Sequence, residues 1–107
     1  MALAKTKEIT SSNPAVVFSK SYCPYCARVK KLLTEIGASF KAVELDTESD
    51  GSEIQSALAE LTGQRTVPNV FIGGKHIGGC DTTTEMHQSG KLVPLLTEAG
   101  AIGKGST

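Results

Sequence analysis

The stretch SKSYCPYCARVKKLL, Ser19 to Leu33, sets Cys23 and Cys26 three positions apart between an apolar run and a basic amphipathic one. The preceding AVVFS, Ala15 to Ser19, is β-branched and aromatic and follows a proline, the pattern of a short buried strand. Downstream, Val29, Leu32, Leu33 and Ile36 fall at i, i+3, i+4 and i+7, the stripe of an amphipathic helix that Gly37 would stop. SFKAVEL (39–45) then reads as a second strand. A strand, a helix and a strand at this separation predict a βαβ unit with parallel strands.

Outward from that unit the same rules place the remaining elements. Residues Ala4 to Ser11 form a short N-terminal helix, and Ile54, Ala57, Leu58 and Leu61 repeat the helical stripe with Gly63 just beyond. VPNVFIGGKHIGG gives a hairpin, NVFI and KHI joined by Gly73-Gly74, a pair able to take the positive φ angles of a tight turn. Asp81 or Thr82 caps a further helix, with Glu85 at capping-box spacing from Thr82. Leu92, Leu95, Leu96 and Ala99 carry the last stripe, and the small, polar tail 100–107 is expected to fray. The order α-β-α-β-α-β-β-α-α predicts an α/β fold, a mixed sheet with helices on both faces. No repeat, linker or low-complexity block interrupts it.

At 107 residues the chain reads as a single domain, and with 39% hydrophobic residues it can build one modest core without staples. Eleven basic and eleven acidic residues cancel, so nothing global points to nucleic acid or to an acidic membrane surface. Three cysteines are an odd count and too few for a disulfide scaffold. The start MALAKTKEITSSN lacks the apolar run of about 7 to 15 residues that a secretory signal needs, and no span reaches membrane length. A soluble, reducing, cytoplasmic setting is the expectation, in which Cys23 and Cys26 are working thiols.

Pro24 is favoured at a first helical position, which makes Cys23 the N-cap, its sulfur facing the free N–H groups and the positive end of the helix dipole. A free thiol with a pKa of about 8.5 is only about 3% thiolate at pH 7, so these surroundings matter. The helix end, the Cys26 thiol and Lys20 can share the activation of Cys23. Cys26, three residues deeper, keeps a higher pKa, so one sulfur attacks and the other resolves. Zinc would need further ligands from Cys80, His76 and His87, but His76 and Cys80 straddle Gly78-Gly79 and the second CxxC of a zinc ribbon is missing. A structural disulfide would close a tiny loop in a reducing compartment. A CxxC beside a βαβ pattern reads as a thioredoxin-like redox motif. Pro68, immediately before a strand, lies either at an ordinary strand entrance or in a cis bond that turns the Val67 backbone toward the cysteines for pairing with an extended substrate.

CPYC, then TVP about 40 residues later, then GGCD, resemble the dithiol glutaredoxins, plant members especially, over about Ala15 to Ala99. The resemblance implies a thioredoxin fold, a cis Pro68 and glutathione as electron donor, with no metal. It implies Cys23 as nucleophile and Cys26 as resolving thiol. Lys20 and Gln55 would hold the glycine carboxylate of glutathione, Tyr25 would line the groove, and Thr66, Val67 and Pro68 would supply the edge that pairs with the tripeptide. Gly79, Cys80, Asp81 and Thr82 would receive the γ-glutamyl end. Many members carry an acid one position after Asp81, where this chain has Thr82, so either Asp81 substitutes or Thr82 serves only as a cap. Cys80 is either a wall of the groove or a third reactive thiol. Lys30 and Lys31 read as a solvated helix face.

The implied activity is reduction of glutathione mixed disulfides and of small or protein disulfides by a monomer that needs no nucleic acid and no membrane. The alternative is a dimer bridging a [2Fe–2S] cluster through Cys23 and two glutathiones, against which Pro24 argues because cluster-binding relatives usually carry a smaller, more flexible residue there. A thioredoxin-type reductase is a third possibility, disfavoured by the Pro-Tyr interior of the motif.

Overall fold

A computed structural model describes residues 2–102. The elements follow the chain as α1 (Ala2–Ser12), β1 (Ala15–Ser19), α2 (Pro24–Glu35), β2 (Lys41–Glu44), α3 (Gly51–Thr62), β3 (Asn69–Ile72), β4 (Lys75–Gly78), α4 (Cys80–Gln88) and α5 (Leu92–Ala99). The four strands form one sheet in the order β2-β1-β3-β4. β1 and β2 run parallel, as the βαβ reading requires, while β3 is antiparallel to both β1 and β4. This is the thioredoxin arrangement.

Alternation along β1 divides the core. Ala15 and Val17 join Val29, Leu33, Val70, Ile72, Leu92 and Leu96 on the face covered by α2 and α5. Val16 and Phe18 point the other way and pack with Val43, Leu45, Ile54, Leu58 and Phe71 beneath α3. Because both faces are covered, all five β1 residues are buried and the strand reads as a continuous apolar run.

Two glycine positions are dictated by geometry. Gly73 and Gly74 take φ of +60° and +79° in the β3–β4 turn, the two left-handed residues of a type I′ hairpin. Gly51, at the start of α3, lies so close to the end of β2 that a Cβ there would stand 1.7 Å from the Leu45 carbonyl oxygen.

The tail differs from expectation where it is described. The Ala101 N–H donates to the Leu96 carbonyl at 2.8 Å, its carbonyl accepts from the Ser39 N–H at 2.7 Å, and Ala101 itself is buried. Position 101 is thus pinned between α5 and the α2–β2 connection, and Ile102 packs on the same core. The rest of the expected frayed segment, 103–107, lies outside the described residues. Among the described residues no helix is long and apolar enough to cross a membrane.

Candidate active site

The β1–α2 loop delivers the cysteines. Cys23 has extended backbone (φ −87°, ψ 118°) and caps α2, its N–H bonded to the Lys20 carbonyl at 3.0 Å and its own carbonyl accepting from Ala27 at 3.1 Å. Pro24 opens the helix without an N–H of its own, and Cys23 Sγ accepts from the N–H of the third helical residue, Cys26, at 3.3 Å. Ser21 anchors the loop from the other side, its N–H 2.9 Å from Asp46 Oδ1 and its hydroxyl on Asp46 Oδ2.

The two sulfurs occupy unlike surroundings. Cys23 is half-buried and Cys26 fully buried; both are free thiols. Partial burial pushes the Cys23 pKa up, but the Cys26 thiol, the Cys26 and Tyr25 N–H groups and the Lys30 charge together outweigh it, leaving the thiol below its ordinary value. Burial first, and then the bond given to Cys23, push Cys26 up to about 12. The unequal pair expected from the motif is present.

The lysine that assists is not the expected one. Lys30 stands one helical turn beyond Cys26 on the same side of α2, and its Nζ bonds Glu44 Oε2 at 2.8 Å while Glu44 Oε1 accepts from the buried Ser19 hydroxyl at 2.6 Å. Its side chain is only 27% exposed, so the reading of Lys30 as a solvated face is corrected; Lys31 is exposed as expected. Lys20 instead lends its charge to Asp46, beneath the loop.

Beside Cys23 opens a groove of about 430 Å³, within the usual size range of small-molecule sites. Thr66, Val67 and Pro68 form one wall, and Gly79, Cys80, Asp81 and Thr82 the other, with Tyr25 at the mouth. The Val67–Pro68 bond is cis, and the Val67 carbonyl oxygen lies 4.0 Å from Cys23 Sγ. Eight of the ten residues expected to bind ligand therefore share one groove. Lys20 and Gln55 are not in its walls, and the Gln55 side-chain amide is committed to the Arg65 carbonyl at 2.7 Å. Gln64, which no sequence pattern singled out, completes the lining. A larger open hollow of about 550 Å³ between α1 and α3 contains no cysteine.

The far wall begins differently from its sequence reading. α4 starts at Cys80 with Gly79 as its cap, and no side chain closes its N-terminus, so the expected cap at Asp81 or Thr82 and its box with Glu85 are not formed. β4 runs into α4 almost without a connection. The helix is initiated by the Gly79 carbonyl, which accepts from both the Thr83 N–H (3.1 Å) and the Thr83 hydroxyl (2.8 Å). Cys80 is half-buried, its sulfur 3.9 Å from Thr84 Oγ1, and Asp81 and Thr82 are exposed. Among the described residues no three His, Cys, Asp or Glu side chains are grouped to hold a metal ion.

Known proteins share both the sequence and the architecture. The glutaredoxin family model matches residues 15–77. A glutaredoxin of Ricinus communis is 76% identical over 102 residues, covering 95% of this chain and all of the relative. Glutaredoxin-C2 of Arabidopsis thaliana is 74% identical over 108 residues, covering 100% of this chain and 97% of the relative. The crystal structure of a buckwheat glutaredoxin–glutathione complex superimposes with a TM-score of 0.95 at 65% identity, covering 96% of this chain and 94% of that one. The chain belongs to the glutaredoxin family, the glutathione-dependent thiol–disulfide oxidoreductases.

Proposed function

We propose that the protein reduces glutathione mixed disulfides through Cys23. The observation that carries this is the Cys23 sulfur at the helix cap, 3.3 Å from the Cys26 N–H and 4.0 Å from the carbonyl of Val67, a residue that lines the groove. The Cys23 thiolate attacks the glutathione sulfur of the mixed disulfide. A Cys23–glutathione disulfide forms, and the target's sulfur leaves as a thiolate that takes up a proton. A second glutathione thiolate then attacks the sulfur of the bound glutathione, giving oxidised glutathione and regenerating the Cys23 thiolate. With a protein disulfide, the Cys23 thiolate first displaces one target thiolate and forms a Cys23–target disulfide. Cys26 then loses its proton and attacks the Cys23 sulfur, releasing the second target thiolate and closing a Cys23–Cys26 disulfide. Two glutathiones reduce that disulfide to give oxidised glutathione. A depressed pKa helps twice, by raising the thiolate fraction and by making Cys23 a better leaving group.

Glutathione is an extended tripeptide with a carboxylate at each end, and the groove offers matching features. The Val67 N–H, which has no backbone partner among the described residues, can pair with the tripeptide backbone. The N-terminus of α4, open at Gly79, suits the γ-glutamyl carboxylate, and Asp81 suits its amine. Tyr25, Thr66, Pro68, Cys80 and Thr82 shape the space between. The glycine carboxylate would need Lys20 or Gln55 to swing toward the groove. The protein is taken to act as a monomer on glutathionylated and disulfide-bearing proteins of a reducing, cytoplasmic compartment.

The test is glutathione-driven turnover of a glutathionylated peptide. Cys26→Ser should retain it and Cys23→Ser abolish it; equal loss in both variants would sink the one-thiol route. Anaerobic reconstitution with iron and sulfide in the presence of glutathione addresses the cluster-bridged dimer, which would announce itself as a coloured species of twice the mass.

A further inference from the structure

The loop from the end of α3 to β3 carries the backbone that faces Cys23, and one side chain holds it in two places and ties it to β4 by a third contact. Gln64 Nε2 donates to the Thr66 carbonyl at 2.9 Å and to the Pro68 carbonyl at 2.9 Å. These are the two neighbours of Val67, so the amide brackets the residue opposite the nucleophile. The third contact joins Gln64 Oε1 to His76 Nε2 on β4 at 3.3 Å. Chemistry fixes the orientation. Both loop carbonyls can only accept, so the amide nitrogen must face them and its oxygen must face the imidazole, which therefore carries its hydrogen on Nε2. The imidazole in turn rests on Phe71 (centroids 5.4 Å apart), and Phe71 meets Phe18 edge-on at 5.8 Å inside the core. A continuous line of contacts thus runs from the core through His76 and Gln64 to the backbone on either side of Val67.

We propose that Gln64 is a positioning residue for the glutathione reaction, holding the Val67 N–H and carbonyl in the presented geometry, with His76 acting through it. This deepens the reading of the groove as the glutathione site and rests on it. An unbracketed Val67 would have to be ordered by the ligand itself, and freezing one backbone residue on binding lowers affinity about tenfold. The cost falls on ground-state and transition-state binding alike, because the peptide edge grips the tripeptide before and during sulfur transfer. It should therefore appear in KM and leave kcat alone.

The experiment compares wild type, Gln64→Met, His76→Phe and the double variant. For each, KM and kcat are measured for a glutathionylated peptide at saturating glutathione, together with the Cys23 alkylation rate by iodoacetamide and the melting temperature. Gln64→Met keeps length and bulk but no polar contact; its KM should rise about tenfold, with kcat and alkylation rate within about twofold of wild type. His76→Phe keeps the ring on Phe71 and removes only the donor, and should raise KM about threefold. The double variant should match Gln64→Met, because His76 has no separate route to the loop. An unchanged KM in a normally melting Gln64→Met would overturn the proposal. So would a parallel loss of kcat and alkylation rate, or effects that multiply in the double variant. If Gln64→Met does not fold, the exposed His76→Phe decides alone, and an unchanged KM there removes the proposal. A wild type without glutathione-driven turnover is a different failure, that of the groove reading itself.

Discussion

Two helices begin on opposite sides of the groove, and they treat their free N–H groups differently. At α2 the cap is Cys23, whose sulfur takes the Cys26 N–H at 3.3 Å. At α4 the cap is Gly79, and no side chain fills the position. A helix N-terminus stabilises an anion whether that anion belongs to the chain or arrives from outside. The first helix is therefore set to activate a resident sulfur, and in the proposed cycle the second is left free to receive a visiting carboxylate. One physical device serves chemistry at one end of the groove and binding at the other.

The sharpest cut at this contrast is Cys23→Ser. Serine is a strong N-cap, so the melting temperature should hold while glutathione-dependent turnover falls by about 10³-fold or more. Wild-type turnover in that variant would mean that the anion at α2 is not the nucleophile. Next in size is the pH dependence of alkylation, followed by mass spectrometry at each cysteine. Cys23, held below the ordinary thiol range, should react fast at neutral pH and slow as falling pH protonates its sulfur. Cys26 should stay silent until the pH approaches about 12. Two cysteines modified in step would erase the asymmetry.

A smaller displacement is expected from Lys30→Met, which removes a charge that favours the Cys23 thiolate. The inflection for Cys23 should move upward, whereas Lys31→Met, on the exposed side, should leave it in place. Identical profiles for the two variants would show that Lys30 does not tune the site. The mildest change is Gly79→Ser, which gives α4 the resident cap it lacks. A Cβ there meets only ordinary contacts, 3.5 Å from the Pro68 oxygen. Stability should rise by a few tenths of a kcal/mol while the hydroxyl competes for the N–H groups and raises KM about two- to threefold. A lower KM would contradict the role assigned to the open end.

Local rules carried the sequence reading as far as they could. The cap at Cys23 was legible because cysteine followed by proline at a helix start has few interpretations, and the hairpin because adjacent glycines permit the two positive φ angles of its turn. The start of α4 was misread because Asp81 and Thr82 are good caps in isolation, yet β4 passes into the helix so abruptly that the Gly79 carbonyl, not a side chain, initiates it. Lys30 was read as a solvated face for a related reason: its partner Glu44 comes beside it only when β2 pairs with β1, a long-range event with no local trace. Gln64 was invisible on the same grounds, since its partners are two backbone carbonyls and a histidine from another strand.

The burial of Cys26 also decides which of the two sulfurs the surroundings meet first. With its pKa pushed up to about 12 in the reduced protein, only about one part in 10⁵ of this thiol is ionised at pH 7. Solvent reaches Cys23 but not Cys26, so a single thiol is offered to the outside and its partner is kept in reserve behind it. A helix packed for stability thus also screens half of a reactive pair.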